Sequence, residues 1–407
     1  MKFKFKIGLL PKVIIAIVAG IVASLFFPLW ATQLFVTITG IFSSFLTFII
    51  PLIILGLVAP GIAELGKGAG KLLAITALIA YGSTLFAGFF SYFTTRWSLP
   101  LLLSAEELTN GSNLSLVETV SSYFTIDMPP LMSVTTSLIL AFVIGLGVAA
   151  IDGDKTKEIL QEFREIIVLV IEKVIIPLLP LYIFGIFLKI GAEGQVALVL
   201  GLFFKVIIVI FAMHVLLLLF QFITAGAITN KNPFRALLTM MPAYMTALGT
   251  QSSAATIPVT LMQAKKNGVD EDVADFVIPL CATIHLSGSM LKIVACAYAI
   301  MFMAGMSAGI ELFAGFIMML GITMIAAPGV PGGAIMAAIA LLQSMLGFDE
   351  TLIGLMVALY ITMDSFGTAC NVTGDGAIAM VMNRVNRRLK RKKRIVGGKI
   401  LVLKEVR

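Results

Sequence analysis

Two carboxylates and an amide stand in an otherwise apolar segment near the C-terminus. Asp364, Asn371 and Asp375 follow an apolar run, residues 352–363, that is typical of a transmembrane helix. Ionisable groups are costly at membrane depth, so they usually face a partner, an ion or a substrate path. The two aspartates lie eleven residues apart. That is about three turns, or about 16 Å, which places them on one face of a continuous helix. The spacing indicates a carrier or an ion-coupled site and is too long for an acid pair that shares a proton.

Two further ionisable side chains, His285 and Lys292, interrupt a second apolar stretch. They are seven residues apart, about two turns, and so are expected to lie on nearly one face. A tethered ammonium can replace a bound cation and pair with Asp364 or Asp375. A desolvated lysine or a histidine can carry a proton. One hypothesis is that coupling has shifted partly or wholly from Na⁺ to H⁺ through these residues, or has been lost. The alternative is a hydrogen-bonded core histidine and a lysine that snorkels or forms a fixed salt bridge.

The composition predicts an all-α integral membrane protein, because 59% of the 407 residues are hydrophobic and 13% are charged. The basic residues before the first span and after the last one contact anionic lipid more readily than nucleic acid, which is not an expected partner. The three cysteines lie in predicted spans and indicate neither disulfides nor a metal site. Because no zinc motif is present, an enzyme is not expected.

Eight apolar segments are long enough to cross the bilayer, which takes about 20 residues. They lie at roughly 12–29, 34–63, 72–94, 131–151, 165–190, 197–227, 272–305 and 350–382. These spans predict a multi-pass protein of the cell membrane, which in a bacterium is the inner membrane. Positive charges in alternate loops predict that both termini lie in the cytoplasm.

Two more apolar stretches, 236–262 and 309–346, are broken in the middle. The first break runs from Thr250 to Pro258 and the second from Ala326 to Gly333. Proline and glycine clusters end helices, and irregular backbone at membrane depth must be satisfied by protein or by a cavity. We therefore predict two re-entrant hairpins. The order hairpin, helix, hairpin, helix indicates the inverted repeat of a transporter.

Taken together, these segments resemble the dicarboxylate/amino acid:cation symporter family, the glutamate transporter homologues. Four motifs carry the resemblance: the serine-rich first tip (252–260), the broken seventh helix (282–289), the second tip (328–332) and the eighth-helix segment (364–375). The resemblance implies a homotrimer in which a transport unit moves as an elevator past a static scaffold. It assigns residues 1–71 and 95–190 to the scaffold, 72–94 and 191–384 to the transport unit, and 385–407 to a basic cytoplasmic tail.

The resemblance also assigns substrate-binding residues. Asp364 matches the carboxylate that receives the substrate ammonium group, and Asn371 matches the amide that binds the α-carboxylate. Hairpin-tip backbone would supply further donors. The full substrate-binding set is Ser252, Ser253, Ser289, Gly329, Asp364, Thr368 and Asn371.

Departures from the family pattern indicate the substrate. Acidic-amino-acid members carry an arginine where this chain has Gly367, and glycine cannot grip a side-chain carboxylate. The motif is closest to the neutral serine/threonine branch, so we expect symport of a small neutral amino acid. The alternative is a C4-dicarboxylate or acidic amino acid symporter, whose second carboxylate would bind Gln251, Lys292 or Arg96.

The cation sites of the family are altered as well. The usual Asn-Met-Asp-Gly-Thr run is replaced by the segment from His285 to Ser289, which lacks the aspartate that balances a desolvated Na⁺. Asn371 and Asp375 remain as one candidate Na⁺ site. The coupling ion is expected to be Na⁺, H⁺ or both, with no organic cofactor. The candidates for cation or proton coupling are Tyr81, Thr84, Thr283, His285, Ser287, Lys292, Asn371 and Asp375.

Overall fold

A computed structural model describes residues 8–64, 71–102, 120–151, 153–325, 327 and 331–404, and within these ranges the chain is helical with no strand. The α-helices are α1 (Leu9–Ser24), α2 (Leu29–Glu64), α3 (Lys71–Leu102), α4 (Val134–Ile151), α5 (Asp154–Val170), α6 (Ile176–Ala192), α7 (Val196–Thr229), α8 (Pro233–Thr250), α9 (Ser253–Lys266), α10 (Glu271–Ile284), α11 (Ser287–Met303), α12 (Ile310–Ile325), α13 (Gly333–Leu346), α14 (Glu350–Thr362) and α15 (Asp364–Lys404). A π-helical turn, Ile171–Ile175, joins α5 to α6.

Several of these helices are long and apolar enough to cross a membrane. Among the described residues, five segments meet that criterion, one of them formed by α10 and α11 together, and the bent pair α14–α15 makes a sixth. Helix α1 and the Ile139–Ile151 part of α4 are apolar but shorter. These segments suit a multi-pass membrane protein, because about 20 apolar residues span the hydrocarbon core.

Four breaks in the helical chain bring backbone ends into the interior. Helices α8 and α9 are separated at Gln251, which has φ 53°, and α13 begins after Gly332, which has φ 76°. Helices α10 and α11 are interrupted at the extended residue His285. Helices α14 and α15 meet at Met363 with a bend of 58°. Each break leaves amide N–H or carbonyl groups without helical partners.

Helix α11 lies at the centre of the structure. All residues from Ser287 to Met301 are buried, as expected for a helix that is largely apolar on every side. It packs against α3, α7, α14 and α15, while α1 packs against α6 and α2 against α4. Any ionisable side chain on α11 must therefore find its partner inside the protein.

Candidate functional site: a buried charge pair beside a histidine network

Lys292 and Asp364 form a buried ion pair. The Lys292 Nζ atom lies 3.2 Å from Asp364 Oδ1, and the lysine side chain is fully buried. The second carboxylate oxygen of Asp364 accepts a hydrogen bond from the Gly332 amide at 2.8 Å. The pair thus joins α11, the start of α15 and the start of α13.

Helix ends and an aromatic ring add to the stability of this pair. The Lys292 ammonium donates to the Met363 carbonyl at 3.3 Å, where α14 ends, and lies 3.7 Å from the centroid of the Tyr360 ring. Cations are favoured at helix C-termini and over aromatic faces, and anions at helix N-termini, where Asp364 begins α15. The broken helices therefore favour both charges in their observed positions.

Gly367 makes room for the lysine. A Cβ atom at residue 367 would lie 2.3 Å from Lys292 Cε and 2.6 Å from its Nζ. Both distances are shorter than real carbon contacts allow, so a side chain here would displace the ammonium. The absence of an arginine at residue 367 and the presence of Lys292 therefore belong to one packing arrangement.

Asn371 joins α15 to the first turn of α11. Its Oδ1 accepts hydrogen bonds from the amides of Gly288 (2.7 Å) and Ser289 (3.3 Å), and its Nδ2 donates to Ser289 Oγ at 3.1 Å. Leu286, the residue before α11, makes no side-chain hydrogen bond that would cap the helix. Asn371 supplies the cap from another helix, so its amide is engaged in this state.

His285 and Asp375 form a second buried pair. The His285 Nδ1 atom lies 2.8 Å from Asp375 Oδ1, and both side chains are almost fully buried. The other ring nitrogen, Nε2, lies 3.0 Å from Ser83 Oγ. When Nδ1 donates to the carboxylate, a neutral ring accepts the Ser83 hydroxyl at Nε2.

Gln221 extends this histidine network. Its Nε2 donates to Ser83 Oγ at 3.1 Å and to Ser287 Oγ at 3.2 Å. Its Oε1 is buried without a hydrogen-bond partner and would meet a Cβ at residue 374 at 2.6 Å. These polar side chains lie in the protein interior, close to Asp375 and to the break between α10 and α11.

The candidate Na⁺ ligands are engaged with protein partners. Asp375 Oδ1 contacts His285, and Asn371 Oδ1 accepts two amides. Three other candidates donate to backbone carbonyls: Tyr81 to Met318, Thr84 to Ala80 and Thr283 to Leu280. Among the described residues, no cluster of three His, Cys, Asp or Glu side chains is placed to hold a metal ion.

The first hairpin tip is formed by Ser252 and Ser253. Ser252 caps α9 by accepting the Ala255 amide at 3.3 Å, and Ser253 is the buried first residue of that helix. Thr368 is buried on α15, one turn beyond Asp364. Gly329, which the sequence assigns to the second tip, lies outside the described residues.

One sequence expectation differs from the observed geometry. His285 and Lys292 do not share one helix face, because α11 begins at Ser287 and His285 is extended. They contact different aspartates: Lys292 contacts Asp364, and His285 contacts Asp375. The sequence interpretation also left out Gln221 and Tyr360, and it named Gly332 only as part of the second tip. An isolated glutamine between phenylalanines in an apolar span was the available signal for Gln221.

Comparisons with known proteins identify the family of this chain. The model of the sodium:dicarboxylate symporter family matches residues 9–385. The serine/threonine transporter SstT of Acinetobacter baumannii is 27% identical over 390 residues, covering 92% of this chain and 96% of that protein.

A second relative matches over a shorter region. Excitatory amino acid transporter 2 of Mus musculus is 32% identical over 251 residues, covering 58% of this chain and 42% of that protein. The family and these relatives are transporters rather than enzymes. With a family match across nearly the whole chain, this protein belongs to the sodium:dicarboxylate symporter family.

Proposed function

We propose that this protein is a secondary active symporter that carries a small neutral amino acid across a cell membrane. The observation that carries the proposal is the buried pair of opposite charges at Lys292 and Asp364. It lies where the starts of α13 and α15 meet the centre of α11. Serine and threonine are the first substrates to test, because the relative that matches over nearly its full length is a serine/threonine transporter.

Charge matching favours a zwitterion at this pair. Asp364 and Lys292 together carry no net charge, and a neutral amino acid also brings one cation and one anion. The substrate ammonium would pair with Asp364, and the substrate α-carboxylate with Lys292. Each charge then exchanges one opposite partner for another, which avoids leaving an isolated ion at low dielectric.

Charge matching at the Lys292–Asp364 pair disfavours a dicarboxylate or an acidic amino acid. Either would bring an extra carboxylate for which a second cation is needed. Arg96, one sequence candidate, donates to the Tyr92 hydroxyl at 2.9 Å, and Tyr92 in turn donates to Ala308. Gln251 is uncharged, and Gly367 has no side chain to offer.

The broken elements support an elevator in which the transport unit carries the site. We propose that α3, α7 and the hairpins with α10, α11, α14 and α15 move together, while α1, α2 and α4 to α6 form the scaffold. The dense packing of α11 against α3, α7, α14 and α15 supports one moving body. A homotrimer with eight crossings, two re-entrant hairpins and both termini in the cytoplasm completes the proposal.

Coupling is proposed to a cation, Na⁺ or H⁺, and the site residues bear on both. A Na⁺ ion at Asn371 and Asp375 would compete with the two amides at Asn371 Oδ1 and with the His285 imidazole at Asp375 Oδ1. A coupled proton could instead bind within the existing His285–Asp375 hydrogen bond, because a proton does not need several oxygen ligands around it.

Uptake of radiolabelled serine into proteoliposomes tests the proposal, with a Na⁺ gradient and an H⁺ gradient imposed separately. We expect saturable uptake that excess threonine or alanine inhibits and that succinate and glutamate leave unchanged. The absence of saturable serine uptake, or serine uptake that succinate strongly inhibits, would contradict the neutral-substrate proposal. Heat-denatured protein in the same liposomes serves as the control for leakage.

A further inference from the structure

The Lys292–Asp364 pair also bears on how the carrier returns after releasing its substrate. An elevator must move its empty site back across the membrane. If Asp364 lost the substrate ammonium and gained no other cation, an unpaired carboxylate would be carried through the low-dielectric interior. Such a charge costs several kcal/mol, so an empty carrier of that kind needs a counter-transported cation.

The structure supplies that cation from the chain itself. The Lys292 ammonium is 3.2 Å from Asp364 and makes a second hydrogen bond to the Met363 carbonyl. Asp364 is further satisfied by the Gly332 amide. Protein groups alone therefore balance the charge of Asp364 and satisfy its oxygens, and the Gly332 amide joins the start of α13 to α15.

The second buried carboxylate of this region, Asp375, does not change the charge balance at the Lys292–Asp364 pair. Asp375 has its partner in His285, on the far side of the α10–α11 break, and neither contacts Lys292 or Asp364 in the described structure. Binding a zwitterion at the Lys292–Asp364 pair leaves the net charge of the unit unchanged. Any difference in charge between the loaded and the empty unit then comes from the coupled cation and not from the substrate or from this pair.

We propose that Lys292 is a tethered counter-ion for Asp364, so that the empty transport unit recrosses the membrane without a counter-transported cation. This inference rests on the proposed neutral amino acid function. It makes Lys292 a residue that serves both states: it binds the substrate carboxylate when the site is loaded and neutralises Asp364 when it is empty. Net transport, and not only exchange, follows from it.

Two assays on the same proteoliposomes separate loaded movement from empty return. Exchange is measured with saturating unlabelled serine inside and labelled serine outside. Net uptake is measured into serine-free liposomes. We expect the wild-type ratio of net uptake to exchange to stay within about threefold when internal Na⁺ and K⁺ are replaced by N-methyl-D-glucamine.

The variant Lys292→Met should lower that ratio at least tenfold at saturating serine, because its empty site carries an uncompensated carboxylate. Lys189→Met, at the end of α6, is the matched control and should leave the ratio unchanged. In the double variant Asp364→Asn/Lys292→Met the empty site is neutral again. Its empty unit should reorient at the wild-type rate, measured as the accessibility of a cysteine placed at Ser252 from each side of the membrane.

Several results would overturn the inference. They are a wild type that exchanges serine but shows no net uptake without internal Na⁺ or K⁺, an unchanged ratio in Lys292→Met, and a double variant as slow to reorient as the single one. If Lys292→Met does not fold, the cation-replacement experiment on the wild type still decides. Wild-type protein with neither exchange nor net uptake of neutral amino acids would instead contradict the proposed substrate, while the cysteine assay would continue to test empty return.

Discussion

The Lys292 side chain occupies the space that any side chain at Gly367 would fill. A Cβ at residue 367 would approach Lys292 Cε to 2.3 Å, and that lysine is fully buried against Asp364 and Tyr360. Helices α11 and α15 approach equally closely at Gly288, where a Cβ would lie 2.7 Å from the Gly367 carbonyl oxygen. Glycine at 367 and lysine at 292 are therefore interdependent.

This dependence predicts the effect of Gly367→Ala. The added methyl group should displace the ammonium from Asp364, raise the KM for serine about tenfold and lower the melting temperature in detergent. The same change in a Lys292→Ala background should be milder, with a coupling of about 0.5–3 kcal/mol. Gly147→Ala, where a Cβ meets nothing within 4 Å, is the control. Additive effects of the two substitutions would contradict the steric explanation.

The sequence predicted where helices break better than it predicted which charges pair. Proline and glycine clusters disfavour helix, and the second predicted break, 326–333, lies between the end of α12 and the start of α13. The first prediction, 250–258, was too long, because the chain breaks at Gln251 and Pro258 lies inside α9. The break at His285 has no such signal, because His285-Leu286-Ser287 contains neither residue. Without that break, the seven-residue spacing places His285 and Lys292 on one face. Their different aspartate partners depend on packing between α11 and α15, which the sequence pattern does not encode.

Removing one partner of the buried pair should cost more than removing both. Asp364→Asn or Lys292→Met leaves one charge without its partner, and such changes cost about 3–5 kcal/mol. The double variant buries no charge at this position, so its stability should lie closer to that of the wild type. Thermal unfolding in detergent measures all three. Glu271→Gln, which breaks an exposed pair with Lys265, should have little effect.

A double variant less stable than either single variant would contradict this account. It would show that the ion pair contributes net stability and that neither charge is a burden by itself. The comparison needs no transport assay, so it remains informative for variants that bind serine weakly.

The interhelical cap at Asn371 predicts a difference between two substitutions. Asn371→Ala removes the acceptor of the Gly288 and Ser289 amides, and the loss of a cap typically costs about 0.5–2 kcal/mol. Asn371→Asp keeps an acceptor but loses the donor to Ser289 Oγ. We therefore expect the aspartate variant to unfold at a higher temperature than the alanine variant.

Transport distinguishes a purely structural Asn371 from one that also binds substrate. If the amide only caps α11, Asn371→Asp should retain serine uptake with a KM within about threefold of wild type. If the amide also meets the substrate α-carboxylate, a negative charge there should repel it and raise the KM more than tenfold. Equal stability of the alanine and aspartate variants would contradict the capping role.

The histidine network predicts that Na⁺ dependence can be introduced. His285 contacts Asp375, a candidate Na⁺ ligand, and Ser287 stands where the family has an aspartate. In His285→Asn/Ser287→Asp, an imidazole is replaced by an amide oxygen and a second carboxylate is added near Asp375. Two buried carboxylates without a cation repel each other, so binding of a hard cation should become favourable. Serine uptake by this variant should rise at least tenfold between Na⁺-free buffer and saturating Na⁺, beyond any response of the wild type. Ser287→Asn with the same histidine change adds no charge and is the control. A variant that folds and transports serine, but responds to Na⁺ no more than this control, would show that the His285–Asp375 region is not a cation site.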